Sequence, residues 1–501
     1  MISKNDISES ELTMMIESGV DIDLALSILN NYNDGLIGRT APVIPKAVPL
    51  IDGDQILDLR NPVEFTFTDR QLSAFRQRFP QQASVLKPGE RSIGIEKLKK
   101  IGISLFSYYS YGFLNGGSAT SYADTKKNKG FNPDLFDLYE ETFNRMASLA
   151  KGQPKGVTAA FIQPDGSPGP SYMELKLRSL LIYSEKSSSK IPFFQMTSVS
   201  NNDSVQSALA QYSNSPWLKA LAKKLDHPIW KGLSGIQPMI CAYSHSREGD
   251  KKNIFRGSDP EKAVIIPLPG GHGQSFRVLK DTFIELYNRG IRFISLGNID
   301  NLGYTADPLS LAILALKGNP AGFDFSFKTA VDVKGGILIK DESDNLNCVD
   351  LGVGISKDEA AAMERRGEKI LFNCATGLFD LSWLMDNIDY IIEKLPLRFS
   401  DQNKDAGLYS QAEQVTWEVI AMIDKPLIFG IDKYKRFLAA KMLLENLLTS
   451  GLKLDDPAFP GGTSEGSLKD TGRKLYEGMQ YLLTHEYGLT LKEGKWLPRE
   501  E

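Results

Sequence analysis

Cysteine is scarce. Three residues in 501, Cys241, Cys348 and Cys374, stand far apart and odd in number, so neither a disulfide framework nor a zinc ribbon is indicated. The four histidines, at 227, 245, 272 and 485, are scattered, which argues against a His-rich metal centre. Positive charge is not in excess either. Lys and Arg total 58 against 62 Asp and Glu, a formal charge of −4, whereas a protein that binds nucleic acid by neutralising phosphates is usually basic. No uncharged apolar run approaches the ~20 residues of a membrane span. The opening residues, Met1 to Glu11, are acidic and lack the apolar core of a secretory signal. Gly-x-Gly-x-x-Gly and Gly-Lys-Ser/Thr are both absent, which removes the dinucleotide fingerprint and the Walker loop. With 42% hydrophobic and 24% charged residues the chain is neither disordered nor fibrous. The expectation is a soluble, cytoplasmic globular protein of mixed α/β type, with about three domains at ~150 residues each.

Residues 1–94 read as an N-terminal helical region, with a proline-containing stretch from Arg39 to Pro62 and a helical pattern around Asp69 to Phe79. From 95 to 395, short apolar runs alternate with amphipathic patterns. Tyr108 to Leu114, Ile191 to Ser198, Ala263 to Leu268 and Ile291 to Ile299 read as strands. Leu135, Phe136, Tyr139, Phe143 and Met146 keep helical spacing behind Asn132-Pro133-Asp134, an N-cap residue with proline at the first helical position. Strands separated by helices imply βαβ units and a largely parallel sheet. Residues 396–501 read as a small C-terminal domain with a long helix from Tyr434 to Leu448, followed by a Pro/Gly turn region from Asp455 to Gly466.

Ligands of open parallel sheets bind outside the carboxyl ends of the strands, so the segments after each strand carry the chemistry. After the first come Leu114-Asn115-Gly116-Gly117, then Thr120 and Ser121, then Lys126, Lys127 and Lys129. Glycine lets backbone amides approach an anion, and the hydroxyls and lysines would complete a phosphate cradle; a solvated surface loop has the same composition. Pro269-Gly270-Gly271-His272-Gly273 follows the third strand and suits close backbone approach with a histidine hydrogen bond, or simply a tight turn. Asp300 ends a buried apolar strand, where a carboxylate needs a partner or caps the next helix. Phe327 to Gly336, with Lys328 and Lys334, and Lys435 to Lys441 each set lysines beside apolar residues.

In this order the segments resemble the UDP-sugar pyrophosphorylase (UDPGP) family, and most closely its UTP–glucose-1-phosphate uridylyltransferase branch. Gly116 to Ser121 with Lys129 is similar to the family's Gly-Gly-x-Gly-Thr-Ser loop ending in Pro-Lys. Pro269 to Gly273 resembles Pro-Pro-Gly-His-Gly, and Ile299-Asp300-Asn301 resembles Val-Asp-Asn. Lys328 to Gly336 is similar to Lys-Thr-x-Ala-Asp-Val-Lys-Gly-Gly, and Arg436 to Lys441 to Arg-Phe-Leu-Pro-Val-Lys. Phe193 to Ser198 also looks like the family's strand ending Met-Asn/Thr-Ser. The resemblance implies a Rossmann-like (GT-A-like) nucleotidyltransferase domain with a mixed, mostly parallel sheet. It implies formation of a UDP-sugar and pyrophosphate from UTP and a sugar 1-phosphate, glucose 1-phosphate first among them. Asp300 would hold Mg²⁺ and Lys129 the UTP phosphates. Lys441 and Lys334 would hold the sugar phosphate and the developing charge. Leu114, Gly116, Gly117, Thr120, Ser121, Gly271 and His272 would line the nucleotide, with His245 where the family has its uracil-contacting glutamine. Asn301 and Asn373 would face the sugar. Ala119 stands in place of the loop's third glycine and Asn128 in place of its proline. Only the first Asn of the family's Asn-Thr-Asn-Asn survives, at Asn373. These departures keep open an N-acetylhexosamine-specific or broad-specificity enzyme, and a non-catalytic UDP-sugar-binding homologue.

Overall fold

The computed structural model describes residues 1–37, 43, 45–117, 119, 122–257, 265–329, 332, 335–351, 355–404, 407–462 and 464–499. Its centre is an eleven-stranded sheet whose main row has eight strands: β1 (Ile56–Asp58), β2 (Tyr109–Leu114), β3 (Phe193–Ser198), β4 (Leu233–Gln237), β5 (Phe293–Asn298), β6 (Ala321–Phe327), β7 (Leu371–Asp380) and β8 (Leu427–Ile431). The spatial order is β1-β8-β6-β7-β5-β2-β3-β4. Strands β5, β2, β3 and β4 run parallel, as do β6, β8 and β1, and β7 lies antiparallel between the two groups. The expected mixed, mostly parallel α/β sheet is therefore present. β2 and β3 are buried along their whole length, as parallel strands covered on both faces must be.

Helices cover both faces. One face carries α1 (Ile95–Leu105), α3 (Tyr172–Ser187), α4 (Pro308–Lys317) and α8 (Leu468–His485), which share a core with Tyr109, Tyr111 and Phe113. The other carries α5 (Leu381–Lys394) and Lys280–Asn288, packed on Phe194, Met196, Ile294 and Leu296. Between β2 and α3 stands α2 (Pro133–Ala150), where the Asn132 side chain accepts the Leu135 amide at 2.9 Å and the expected apolar positions are buried. Among the described residues no helix is long and apolar enough to cross a membrane.

Three sequence expectations are corrected. β1 and β8, from outside residues 95–395, are members of the central sheet, so cuts at 94 and 395 would divide it. The third strand is Pro267–Pro269, paired antiparallel with Met239–Cys241; Ala263 lies outside the described residues. The continuous helix from Tyr434 to Leu448 is instead two short helices, α6 (Lys433–Arg436) and α7 (Leu443–Thr449). Between them the backbone leaves the helical path to meet the turn after β5. Ala439 forms an antiparallel bridge with Asn301, the Leu302 amide donates to the Leu438 carbonyl at 2.9 Å, and the Leu438 amide donates to Asn301 Oδ1 at 3.0 Å. These bonds replace the helical ones that local pattern alone favours.

Candidate functional site

Because β2, β3, β4 and β5 are parallel, Leu114, Ser198, Gln237 and Asn298 end at the same edge of the sheet. The turn after β2 is fixed from β3: Ser198 Oγ donates to the Gly116 carbonyl at 3.0 Å, and Asn201 Nδ2 donates to the Asn115 carbonyl at 2.9 Å. Gly117 is exposed, and a Cβ placed there would meet nothing within 4 Å, leaving its backbone open to a ligand. Ala119 is fully buried, has no positive φ, and donates its amide to the Gln153 carbonyl at 3.0 Å. The methyl group in place of a third glycine thus packs without strain. Asn128 is equally accounted for: its amide donates to the Tyr122 and Asp124 carbonyls, and its Oδ1 accepts the Leu444 amide at 2.9 Å. It staples the lysine-rich turn to α7. Thr120, Ser121 and Lys334 lie outside the described residues.

The lysine that enters this edge is Lys155, not Lys129. Lys129 is exposed and pairs with Asp137 at 3.6 Å on the outer side of the helix Thr125–Phe131. Lys155 is 7% exposed; its backbone amide donates to the Gly117 carbonyl at 3.0 Å, and its Nζ donates to the Ala440 carbonyl at 2.9 Å while lying 3.0 Å from the Tyr122 ring centroid. Burial pulls its ammonium down to about 7 against the opposing charges of Asp300 and Glu445, with Lys127 adding repulsion. Its mark in the sequence is the pair Pro154-Lys155, which stands beyond Thr125–Phe131 and α2 from the Gly116-Gly117 turn, whereas Lys129 is nearer along the chain.

The second wall is the Gly-rich loop after Pro267–Pro269. Gly271 has φ +82° and ψ 162°, a region open essentially to glycine alone, and a Cβ there would lie 2.4 Å from the Gln414 carbonyl oxygen. Gly271→Ala should cost about 3 kcal/mol of stability, measured as a lower denaturant midpoint; an unchanged midpoint would contradict the observed loop conformation. Gln237, at the end of β4, donates through Nε2 to the Gly271 carbonyl at 2.8 Å and to Gln274 Oε1 at 2.9 Å. Its Oε1 faces Gly116, within 3.2 Å of where a Cβ on that glycine would be. It therefore bridges the two glycine loops, with both amide N–H groups spent on the Gly271 side and Oε1 turned to Gly116. Its signal was a glutamine closing a strand directly before Pro238. His245, assigned that place from the sequence, instead faces Asp401 at 3.6 Å and accepts the Arg247 amide on Nδ1, at the end of the three-stranded sheet with Gly407–Gln414.

His272 is half-buried. The Thr416 amide donates to its Nδ1 at 3.1 Å, and the Thr416 hydroxyl donates to its carbonyl at 2.7 Å. Nδ1 is thereby an acceptor, and the ring proton sits on Nε2. Burial, with the nearby Lys441 charge, pushes the imidazole down to about 4, so the folded protein keeps it neutral. The unfolded chain takes up this proton near 6.5, so stability falls as pH drops from about 6.5 to about 4. At about 1.4 kcal/mol per pH unit, discounted for solvent screening at a half-exposed ring, the loss is about 2 kcal/mol. A His272→Gln variant should show a flatter Tm against pH over that interval.

Asp300 follows β5, half-exposed, and its charge acts on Lys155, Tyr122, Tyr172 and Lys176. Lys441 is exposed on the segment leading into α7, two residues beyond the bridge to Asn301, and its charge reaches His272 and Glu445. Glu445, which the sequence reading passed over, accepts the Lys441 and Met442 amides at 2.8 and 2.9 Å and orients that lysine's backbone. Asn301 is 1% exposed, with its amide spent on Gly303, Leu438 and Arg436. At that burial it is a strut of the site, held by the Gly303, Leu438 and Arg436 backbones. Asn373, paired with Phe325 across β6 and β7, is half-buried, and its Oδ1 accepts the Ala375 amide at 2.8 Å. Beneath lies a buried ion pair, Arg436 with Asp324 at 3.0 Å. A cavity of about 840 Å³ lined by Gln153, Glu174, Asp203 and serine hydroxyls has no basic side chain among the described residues of its wall, a lining unsuited to a phosphate.

The sheet with its glycine loops at one edge is the fold of the UDP-glucose pyrophosphorylases. A structure of UDP-glucose phosphorylase from Trypanosoma brucei matches with a TM-score of 0.55 at 17% identity, over 88% of this chain and 77% of that one. A variant of the Leishmania major UDP-glucose pyrophosphorylase in complex with UDP-glucose gives 0.55 at 16% identity, over the same shares of the two chains. In sequence, residues 250–449 match the family described as UTP–glucose-1-phosphate uridylyltransferase, and over that stretch the resemblance read from the motifs is borne out. Two curated relatives are similar in sequence. One is a probable UTP–glucose-1-phosphate uridylyltransferase of Schizosaccharomyces pombe, 24% identical over 211 residues, 40% of this chain and 38% of the relative. The other is the UTP–glucose-1-phosphate uridylyltransferase of Encephalitozoon cuniculi, 23% identical over 216 residues, 42% and 39% of the two chains. The match thus spans about two fifths of each curated relative.

Proposed function

We propose that the chain is a uridylyltransferase that forms a UDP-sugar and pyrophosphate from UTP and a sugar 1-phosphate, glucose 1-phosphate first among the candidates. The observation that carries the reading is the convergence of two glycine turns, Gln237, neutral His272, Lys155, Lys441 and Asp300 at one edge of a parallel sheet. A phosphate oxygen of the sugar 1-phosphate attacks the α-phosphorus of UTP, the α–β anhydride bond breaks, and pyrophosphate leaves in line. No covalent enzyme intermediate is needed, so the protein's work is alignment and charge stabilisation. Phosphate charges at 4 Å repel by about 4 kcal/mol per pair at an effective dielectric of ~20, which two ammonium groups and a cation offset. Lys155 meets the nucleotide phosphates beside the Gly117 turn, and Lys441 meets the sugar phosphate.

Among the described residues no three His, Cys, Asp or Glu side chains form a metal cage. Asp300 fits a cation that takes one protein carboxylate and completes its shell with phosphate oxygens and water, the habit of Mg²⁺. When bound, Mg²⁺ would neutralise phosphate charge.

Gln237, through Oε1, and the backbone amide of Gly271 face the base in this reading. A site built on such hydrogen bonds rejects bases that leave its polar groups unpaired. The test is pyrophosphate release with UTP, dTTP, CTP or ATP across a panel of sugar 1-phosphates that includes N-acetylhexosamines. Preference for UTP over CTP and ATP by at least ~10²-fold in kcat/KM is expected, with dTTP, which has the same hydrogen-bonding edge, less strongly rejected; equal use of ATP would overturn the assignment of the base site.

A further inference from the structure

We infer that Lys176 is a positioning residue for Asp300, its buried ammonium holding the loop that presents this carboxylate; the inference rests on the reading of Asp300 as a working group of the site. Lys176 lies on α3 at 1% exposure. Its Nζ donates to the Asn301 carbonyl at 2.6 Å, to the Tyr304 carbonyl, and to the Tyr487 hydroxyl at 3.0 Å, with the Leu302 carbonyl at 3.4 Å. Tyr487 itself donates to the Leu302 carbonyl at 2.6 Å, so its oxygen is left to accept from Lys176. Three close acceptors match the three N–H groups of an ammonium, where a neutral amine has two.

The carbonyls of residues 301, 302 and 304 thus converge on Nζ; the Tyr111 and Tyr487 hydroxyls also donate to two of them, at 2.6 Å each, and Lys176 is what joins all three. Burial first, then Arg436, hold the Lys176 ammonium well below the usual lysine range, with Asp300, immediately before the loop, and Glu486 opposing them; the three close acceptors are what retain its proton. A well-packed apolar side chain in place of a buried charge is often as stable or more so. The ammonium is therefore better explained by the loop it shapes than by the core it occupies. From the other side the loop is tied to the Lys441 segment through Asn301 and Leu438, so its order sets the spacing of Asp300 and Lys441 together.

The experiment compares the full-length chain with Lys176→Met and Tyr487→Phe, reading amide hydrogen exchange, calorimetric UTP binding and steady-state kinetics. Lys176→Met should speed exchange of the 302–304 amides at least ~10-fold relative to β2 and β5. It should lower kcat at least ~10-fold while KM and Kd for UTP stay within about 3-fold. Tyr487→Phe should move the same quantities the same way by a smaller factor, and it decides the matter if the Met variant does not fold. Loop exchange unchanged, exchange faster across the whole sheet, or kcat unchanged with a loosened loop would each overturn the inference. If the unmodified chain makes no UDP-sugar, the functional reading fails on its own and local loop exchange still decides the role of Lys176.

Discussion

Lys155→Met should lower turnover by roughly 10³-fold, the scale of removing a principal charge-stabilising group, while Tm shifts little. Methionine fills similar volume against the Tyr122 ring, and the change takes a donor from the Ala440 carbonyl and a cation from Asp300 and Glu445. The more particular expectation concerns pH. With burial holding the ammonium near 7, kcat/KM, which reports the free enzyme, should fall as pH rises through about 7. Bound phosphates add negative charge and favour the protonated form, so the falling limb of kcat should lie at higher pH than that of kcat/KM. Stability runs the other way. The folded pKa is below the unfolded value, so between about 7 and 10.5 the unfolded chain binds more protons and the ligand-free fold gains stability with rising pH. A kcat/KM profile flat across pH 6 to 9, or turnover in the Met variant within about 3-fold of normal, would remove Lys155 from the phosphate site.

The sheet was legible because its signals are local. Phe193 to Ser198 and Phe293 to Asn298 are short apolar runs, and Asn132-Pro133 starts α2 by side-chain capping and a preset φ, both confined to one turn of chain. The break between α6 and α7 was not legible. Its apolar spacing is helical, and what overrides it is hydrogen bonding to Asn301 and Leu302, over a hundred positions earlier. The same limit explains the site. Asp300 and the Gly271 loop lie directly after strands, where position alone marks them. Lys155 is separated from its glycine turn by two helices, and Gln237 has meaning only once β4 is set beside β2 and β3. Asn301 has two uses open to a polar residue after a carboxylate, and the fold shows the structural one, its side chain bonded to the Gly303, Leu438 and Arg436 backbones.

Asp300→Asn should cut kcat by at least ~10² and leave a second signature that a structural defect would not. Asn is nearly isosteric, and Asp300 is half-exposed at a strand end, so the fold has little reason to fail. Two electrostatic changes follow from the lost charge. The first is a weaker hold on a divalent cation, seen as a Mg²⁺ requirement raised at least ~10-fold in the presence of UTP. The second reaches Lys155, whose ammonium is favoured by Asp300 against the cost of burial. Without that carboxylate the Lys155 pKa drops further, and the alkaline fall of kcat/KM moves to lower pH. Lys155→Met has no such limb to move, so combining it with Asp300→Asn should cost less than the sum of the two single effects, as expected of groups that interact. Normal turnover of Asp300→Asn in Mg²⁺ would end the metal assignment. Lost turnover with an unmoved pH limb would place the Asp300 charge too far from Lys155 to matter, and the two would then act on different phosphates.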